Sequence, residues 1–341
     1  MKRAKQNKVA PAPTVDFEVF NIMDDAPANV LDYLQCADNG IYFEPLVSYE
    51  SLMQLTTTGV HHASALQAKA NILKKTFEPS EYLSRKDFEL FVMNYLTLGD
   101  GYLQITRNRL GGVLKLTSLL TMYTRMASDM KHYLYIRNRF GLNGLQYDTI
   151  KIADVVNVKQ HDLRQQIYGL PEYLPAMHSI MLNNSATRFR RRYYDNGSHA
   201  GFILYCTDEK INEDDWNVLK SNMRQSRGRG NFKNVMLRSP GGSPNGKDGI
   251  KLIPISEVAA KDEFLNIKSV SAEDMLAAHR VPAILMGIVP QNAGGLGDPI
   301  KAAKVFYEHE IAPIQESFKS INEQLGIEVF RFKDYQLDTP T

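Results

Sequence analysis

The stretch Tyr168–Gly197, YGLPEYLPAMHSIMLNNSATRFRRRYYDNG, is where the chain changes rhythm. Before it, apolar residues come in short alternating runs. Within it, Leu170, Leu174, Met177 and Met181 recur at spacings of 4, 3 and 4, which is one face of a helix. The spacing predicts a helix of more than twenty residues, with Pro175 in its first turn or kinking it, and a stop at Asn196-Gly197. The stretch therefore separates a mixed front half from a back half hung on long helices, and the fold class is α+β.

Working back from Tyr168, Ser51–Lys75 and Arg85–Thr97 have helical character, the second opening at a Ser84 cap. Gly101–Leu116, GYLQITRNRLGGVLKL, alternates and turns at Gly111-Gly112 as a hairpin does. Strands are expected at His132–Arg137 and Asp154–Val158.

Working forward, a small unit follows: a strand in GFILY, a helix capped by Asn212, then strands in NVMLR and IKLIPI across the turn SPGGSPNGKDG. The helix carries Glu213, Asp214 and Asp215 in its first turn and Trp216, Leu219 and Met223 on its inner face. A second long helix is expected over Glu257–Arg280, stopped by Pro282. A third opens at Asp298 (N-cap) and Pro299 (N1) and carries Ile300, Ala303, Tyr307, Ile311, Ile314, Phe318, Ile321 and Leu325 at spacings of 3 or 4, with a kink expected at Pro313. Between the second and third lies the glycine-rich segment NAGGLGDP, Asn292–Pro299.

The 341 residues, 43% hydrophobic and 23% charged, are those of an ordinary globular protein of about two domains at ~100 to 200 residues each. The net charge of +2 hides an uneven distribution. Lys2, Arg3, Lys5 and Lys8 run into APAPT, giving a disordered tail over residues 1–30. The tail has no apolar segment of a secretion signal, and the apolar run Val281–Pro290 is half of the ~20 residues a bilayer span needs, so a cytosolic site without membrane contact is expected. Cys36 and Cys206 lack the partners of a disulfide framework or a zinc site.

Several chemistries can be weighed from residues alone. Gly294, Gly295 and Gly297 could let backbone approach a phosphate, but no strand precedes them and no Lys with Ser or Thr completes a phosphate loop. HEIAP at His309 begins like a zinc protease motif, yet Pro313 stands where the second His is needed. His61-His62 read as polar surface or satisfied core. No set of acid, base and nucleophile is assembled, so no enzyme, no metal and no cofactor is expected. Arg188, Arg190, Arg191 and Arg192 suit helix-end and ion-pair roles, a subunit contact or phosphates. Arg224, Arg227 and Arg229 make a basic helix end and loop without the aromatics of an RNA-recognition strand. Residues eleven apart align within about 20° on a helix. Asp262 thus aligns with Glu273 and Glu263 with Asp274, giving acid lines that suit a solvated face or a wall repelling a polyanion.

These segments together resemble the portal proteins of tailed bacteriophages, in the PBSX-type group of contractile-tailed phages. The resemblance runs from about Leu31 to Leu337 and is carried by VHHASALQAKANIL, NRLGG, the opening stretch continued through GFILY, GIKLIPISEVAAKDEFLNIKSVSAEDMLAAHRVPAILMGIVP, NAGGLGDP and VFYEHEIAPIQESF.

The resemblance implies a dodecameric ring at one capsid vertex, the channel for packaging and ejecting double-stranded DNA. It implies a wing over 31–168, stem helices over 169–197 and 257–282, and a clip over 198–256. It also implies a tunnel-loop region over 283–299, a kinked spine helix over 300–326 and a C-terminal wing segment over 327–341, the crown being minimal or absent. Asn292, Ala293, Gly294, Gly295, Leu296, Gly297 and Asp298 become the loop facing DNA, and Asp262, Glu263, Glu273 and Asp274 the tunnel wall. Arg188–Arg192 become contacts between subunits, and Arg224, Arg227 and Arg229 part of the docking surface for the terminase large subunit and the head-completion proteins. Major capsid and scaffolding proteins are the other implied partners, the site being the virion after assembly in the host cytoplasm. The rival reading is a non-enzymatic nucleic-acid binder using the patches 188–192 and 224–229.

Overall fold

In the computed structural model, the described residues are 36–141, 144–163, 166–195, 260–287 and 298–337, with shorter pieces between 202 and 254. The expected tail over 1–30, loop residues 292–297 and Arg224, Arg227 and Arg229 lie outside them. The chain divides into two compact units, one of residues 26–184 with 268–341, the other containing 185–267.

In the larger unit, α1 (Tyr49–Thr58) and α2 (Val60–Thr76) replace the single helix expected over Ser51–Lys75. The break falls at Gly59, whose backbone is extended; glycine is among the weakest helix formers, and the two short helices turn their apolar faces into one core. Strand β1 (Phe77–Glu78) follows, then α3 (Arg85–Leu98), whose expected cap is present: Asp87 N donates to Ser84 Oγ at 3.1 Å. Strands β2 (Asp100–Arg107) and β3 (Val113–Leu119) form the expected hairpin. Its turn is held by Asn108, whose Oδ1 accepts from Leu110 N and Gly112 N, both at 2.9 Å. Next come β4 (Thr124–Met126), β5 (His132–Gly141), β6 (Gly144–Lys151) and β7 (Val155–Lys159). They make two sheets of order β3-β2-β7 and β4-β5-β6, with every pairing antiparallel.

The helix expected from Leu170 begins later. Pro171 and Pro175 supply no amide donor, so Leu174–Ala176 form a 3-10 turn and α4 runs over Met177–Asp195. The smaller unit contains β8 (Phe202–Cys206), helical residues at Asp214 and Trp216–Val218, β9 (Val235–Arg238) and β10 (Ile250–Pro254). Its sheet order is β10-β8-β9, with β9 parallel and β10 antiparallel to β8.

Helix α5 (Ala260–Ala278) leads back into the larger unit, where Asn183 of α4 donates to Ser271 Oγ at 2.7 Å and Ser179 Oγ to Asp274 Oδ2 at 2.7 Å. The last long helix is α6 (Pro299–Phe306), a π-turn (Tyr307–Ile311) and α7 (Ala312–Leu325), followed by β11 (Arg331–Phe332). The irregularity expected at Pro313 thus starts before it. The proline lacks an amide donor and its ring crowds the carbonyl four residues back, so the preceding turn widens.

A knot of phenylalanines closes the core of the larger unit. Phe77 and Phe88 stack at 3.7 Å between ring centroids, and Phe91 meets Phe318 at 5.1 Å. Phe88 also lies 6.0 Å from Phe330, while Phe77 pairs with Phe332 across β1 and β11. Aromatic rings bury large areas and gain further from edge-to-face contact, so this knot fastens α7 and β11 onto α3.

Candidate functional site

The segment that the sequence singles out, 292–298, hangs between the end of α5 and the start of α6. Its described member is Asp298, exposed at the start of α6, where Oδ1 accepts from Ile300 N at 2.9 Å and Lys301 N at 3.2 Å. That carboxylate is engaged as a helix cap.

At the other end, α5 closes with Arg280 N on Ala277 O and Val281 N on Leu276 O, the hydrogen-bond pattern of a Schellman stop. The left-handed position of that motif usually belongs to glycine, yet here it is Arg280, with φ 54°. Its side chain explains the choice. The guanidinium Nε donates to Glu310 Oε1 at 2.6 Å and Nη2 to Glu172 Oε2.

Both carboxylates turn their second oxygens to Lys69, whose Nζ lies 2.5 Å from Glu172 Oε1 and 3.2 Å from Glu310 Oε2. Lys69, Glu172, Arg280 and Glu310 therefore form a closed ring of alternating charge with no net charge. The Lys69 side chain is wholly buried while that of Arg280 is 53% exposed.

A second layer packs beside it, built from neighbours of the same residues. His62, two turns before Lys69 on α2, places Nδ1 2.8 Å from Nε2 of His279. Tyr173 lies against both rings, 4.3 Å from His62 and 5.3 Å from His279 between centroids, and donates its hydroxyl proton to Thr97 O. Burial pushes His62 down to about 4; burial, with the nearby His62, Lys69 and Arg280, pushes His279 down to about 3. Both rings are neutral at pH 7, which lets one donate to the other.

A separate buried carboxylate, Asp100, opens β2. It accepts from Gly169 N at 2.8 Å, Asn157 Nδ2 at 3.1 Å and the Tyr49 hydroxyl at 3.3 Å. Burial pushes it up to about 6 against the pull of those hydrogen bonds.

Of the other residues singled out by sequence, Glu273 and Asp274 are exposed on α5, Asp274 accepting from Ser179. The side chains of Asp262 and Glu263 lie outside the described residues. Arg188, Arg190, Arg191 and Arg192 are exposed over the last turns of α4. Of the pair His61-His62, His62 is a core residue, bonded through Nδ1 to His279 while its buried Nε2 has no hydrogen-bond partner. In HEIAP, His309 is exposed and Glu310 is the residue at work, as an ion partner. No group of three or more His, Cys, Asp and Glu stands ready to hold a metal among the described residues. Nor, among them, is any helix long and apolar enough to cross a membrane.

Sequence reasoning missed the ion ring. One signal was available: Lys69 lies on the face of α2 that also carries Ala65, Leu66, Ala70 and Leu73, and a lysine amid buried apolar positions needs partners.

The family model described as phage portal protein matches residues 53–338. The chain belongs to the phage portal protein family. It is 43% identical to the probable portal protein of Escherichia phage P2, over 97% of this chain and 95% of the relative. It is 35% identical to that of Haemophilus phage HP1 (strain HP1c1), over 93% of this chain and 91% of the relative. Among solved structures, the HK97 family phage portal protein from Corynebacterium diphtheriae matches with a TM-score of 0.58 at 13% identity, over 82% of this chain and 94% of that one. A chain of the neck of the native gene transfer agent particle matches with a TM-score of 0.57 at 17% identity, over 82% and 80%. Those two likenesses concern the fold, which is the portal fold.

The family's role is a ring at the capsid vertex through which DNA is packaged, and portal proteins are structural components of the virion. The nucleic-acid binder weighed from the basic patches gives way to this role.

Proposed function

We propose that twelve copies of this portal protein form the ring, with segment 292–298 facing the DNA and the exposed acids of α5 along the channel wall. The observation that carries the reading is the anchoring of that segment. Arg280 before it and Glu310 after it are bonded to each other, and Glu310 is bonded in turn to the buried Lys69, so the stretch between them leaves from and returns to a fixed base. Three glycines in the run, Gly294, Gly295 and Gly297, allow backbone changes that passing DNA demands without a base-specific grip. Glu273 and Asp274 repel a polyanion and limit sticking. A fold neighbour belongs to a particle neck computed with C12 symmetry, which supports the subunit number.

The segment 198–256 is read as the clip, docking the terminase large subunit and later the head-completion proteins, with Arg224, Arg227 and Arg229 among its contacts. Arg188, Arg190, Arg191 and Arg192 are read as bridges between adjacent subunits. The remaining divisions read from sequence stand with these: wing 31–168, stem helices 169–197 and 257–282, spine 300–326. Assembly takes place in the host cytoplasm, beside capsid and scaffolding proteins.

The deciding experiment is Gly294→Val with Gly295→Val in the phage. Intact rings with shortened packaging, or with DNA leaking before the tail attaches, are expected. Normal packaging and retention in intact rings would remove the loop from the channel, whereas loss of rings would make it a structural joint.

A further inference from the structure

Two backbone irregularities meet at the ion ring. Arg280 holds a left-handed conformation that side chains avoid, and the helix after Asp298 opens into a π-turn at Tyr307–Ile311. Each is locally unfavourable and persists because its surroundings fix it. The side chains that fix them are bonded to one another: Arg280 belongs to the first irregularity and Glu310 to the second.

The same pair brackets the chain between them. Everything from Val281 to His309 leaves and returns through the Arg280–Glu310 bond, and that stretch includes segment 292–298. Lys69 and Glu172 then tie the closure to α2 and to the residues leading into α4. Stability alone is a poor reason for such a design, because a buried ion cluster gains little over well-packed apolar side chains. A planar guanidinium placed on two carboxylates does define direction.

We infer that Arg280 and Glu310 are positioning residues for the DNA-facing segment, acting from its base with no contact to DNA of their own. The inference rests on the reading that 292–298 faces the channel. Arg280 is the member through which the ring opens, being the most exposed of the four side chains and the one whose backbone would relax on release.

The test uses assembled rings and intact phage. Amide hydrogen exchange is measured in rings of the wild type, Arg280→Gln and Arg280→Lys, and DNA leakage from tailless heads is measured for the same three. In Arg280→Gln, rings form, amides of 283–287 and 300–306 exchange at least tenfold faster, those of β2 and β3 are unchanged, and leakage rises several-fold. Arg280→Lys, which keeps the charge without the fork, falls between. Unchanged exchange in those two segments overturns the inference, and so does unchanged leakage when exchange has risen. Should Arg280→Gln fail to form rings, Arg280→Lys decides: wild-type exchange and leakage refute the role, and raised values support it. The glycine variant separates the two readings. If it retains DNA normally, the channel reading falls, and with it the positioning role, even where the exchange results show a clamp.

Discussion

Arg280 and Glu310, thirty residues apart in sequence, meet at 2.6 Å, and the arginine does so from a backbone conformation that favours glycine. The two terms can be pulled apart by substitution. Arg280→Ala loses the ion pairs and keeps the strain; Arg280→Gly loses the ion pairs and relieves it. Arg280→Gly is therefore expected to be more stable than Arg280→Ala by about 1 kcal/mol, as read from denaturant midpoints of the purified protein. Equal stability would place the left-handed turn under no strain.

Lys69→Met is expected to be the most damaging single change in the ion ring, at about 3 to 5 kcal/mol. It leaves Glu172 and Glu310 facing one another with only the exposed Arg280 between them. Adding Glu310→Gln to Lys69→Met removes the uncompensated negative charge, leaving Glu172 with Arg280, and should recover part of the loss. A double-mutant cycle by urea denaturation measures the coupling, and additive losses would show that the lysine and the glutamate act independently.

Gly99 and Gly169 pass so closely that a Cβ on Gly169 would lie 2.1 Å from Gly99 O. The atom in the way is backbone, and it also accepts from Gln160 N at 2.8 Å. Gly169→Ala should cost about 2 to 4 kcal/mol and disturb the Asp100 hydrogen bond from Gly169 N. Thermal unfolding of the variant checks this; a midpoint within a degree of wild type would contradict it.

Stability should rise between about pH 4 and pH 6.5. His62 and His279 take up protons near 6.5 when unfolded but only near 4 and 3 when folded, so acid favours the unfolded chain and their contribution is lost as pH falls through that window. Asp100 works in the opposite sense, since it holds a proton to about 6 when folded and releases it near 3.8 when unfolded. Two histidines outweigh one aspartate. His62→Gln should flatten the rise, and Asp100→Asn should steepen it, in urea midpoints taken across pH 4 to 7. A wild-type profile that is flat or falls with pH would show the rings to be protonated in the fold.

The local chemistry of the fold was largely legible. The Ser84 and Asp298 caps, the Asn108–Gly112 turn and the helical face from Ile300 to Leu325 each follow from neighbours within a few residues. What stayed hidden depends on distant partners. Gly59 splits a helix because two short helices fill the core better than one. The π-turn lies before a proline, but Glu310 within it reaches Lys69 and Arg280, which are far away in sequence. The ion ring joins positions 69, 172, 280 and 310, each an ordinary charged residue in its own stretch. The glycine segment was conspicuous in sequence, whereas the arginine and glutamate at its base were not, because no spacing rule links them.

The phenylalanine knot also sets a schedule for making the protein. Phe88 and Phe91 leave the ribosome long before their partners Phe318, Phe330 and Phe332 are made. Until then α3 can pack on Phe77, α2 and the β2–β3 hairpin but lacks the rings that α7 and β11 bring, and contacts separated by so much chain form slowly. A nascent or prematurely ended chain is thereby kept from completing its body. A copy cut short before Phe318 is therefore expected to keep an open core, which marks it off from intact copies before any two of them meet.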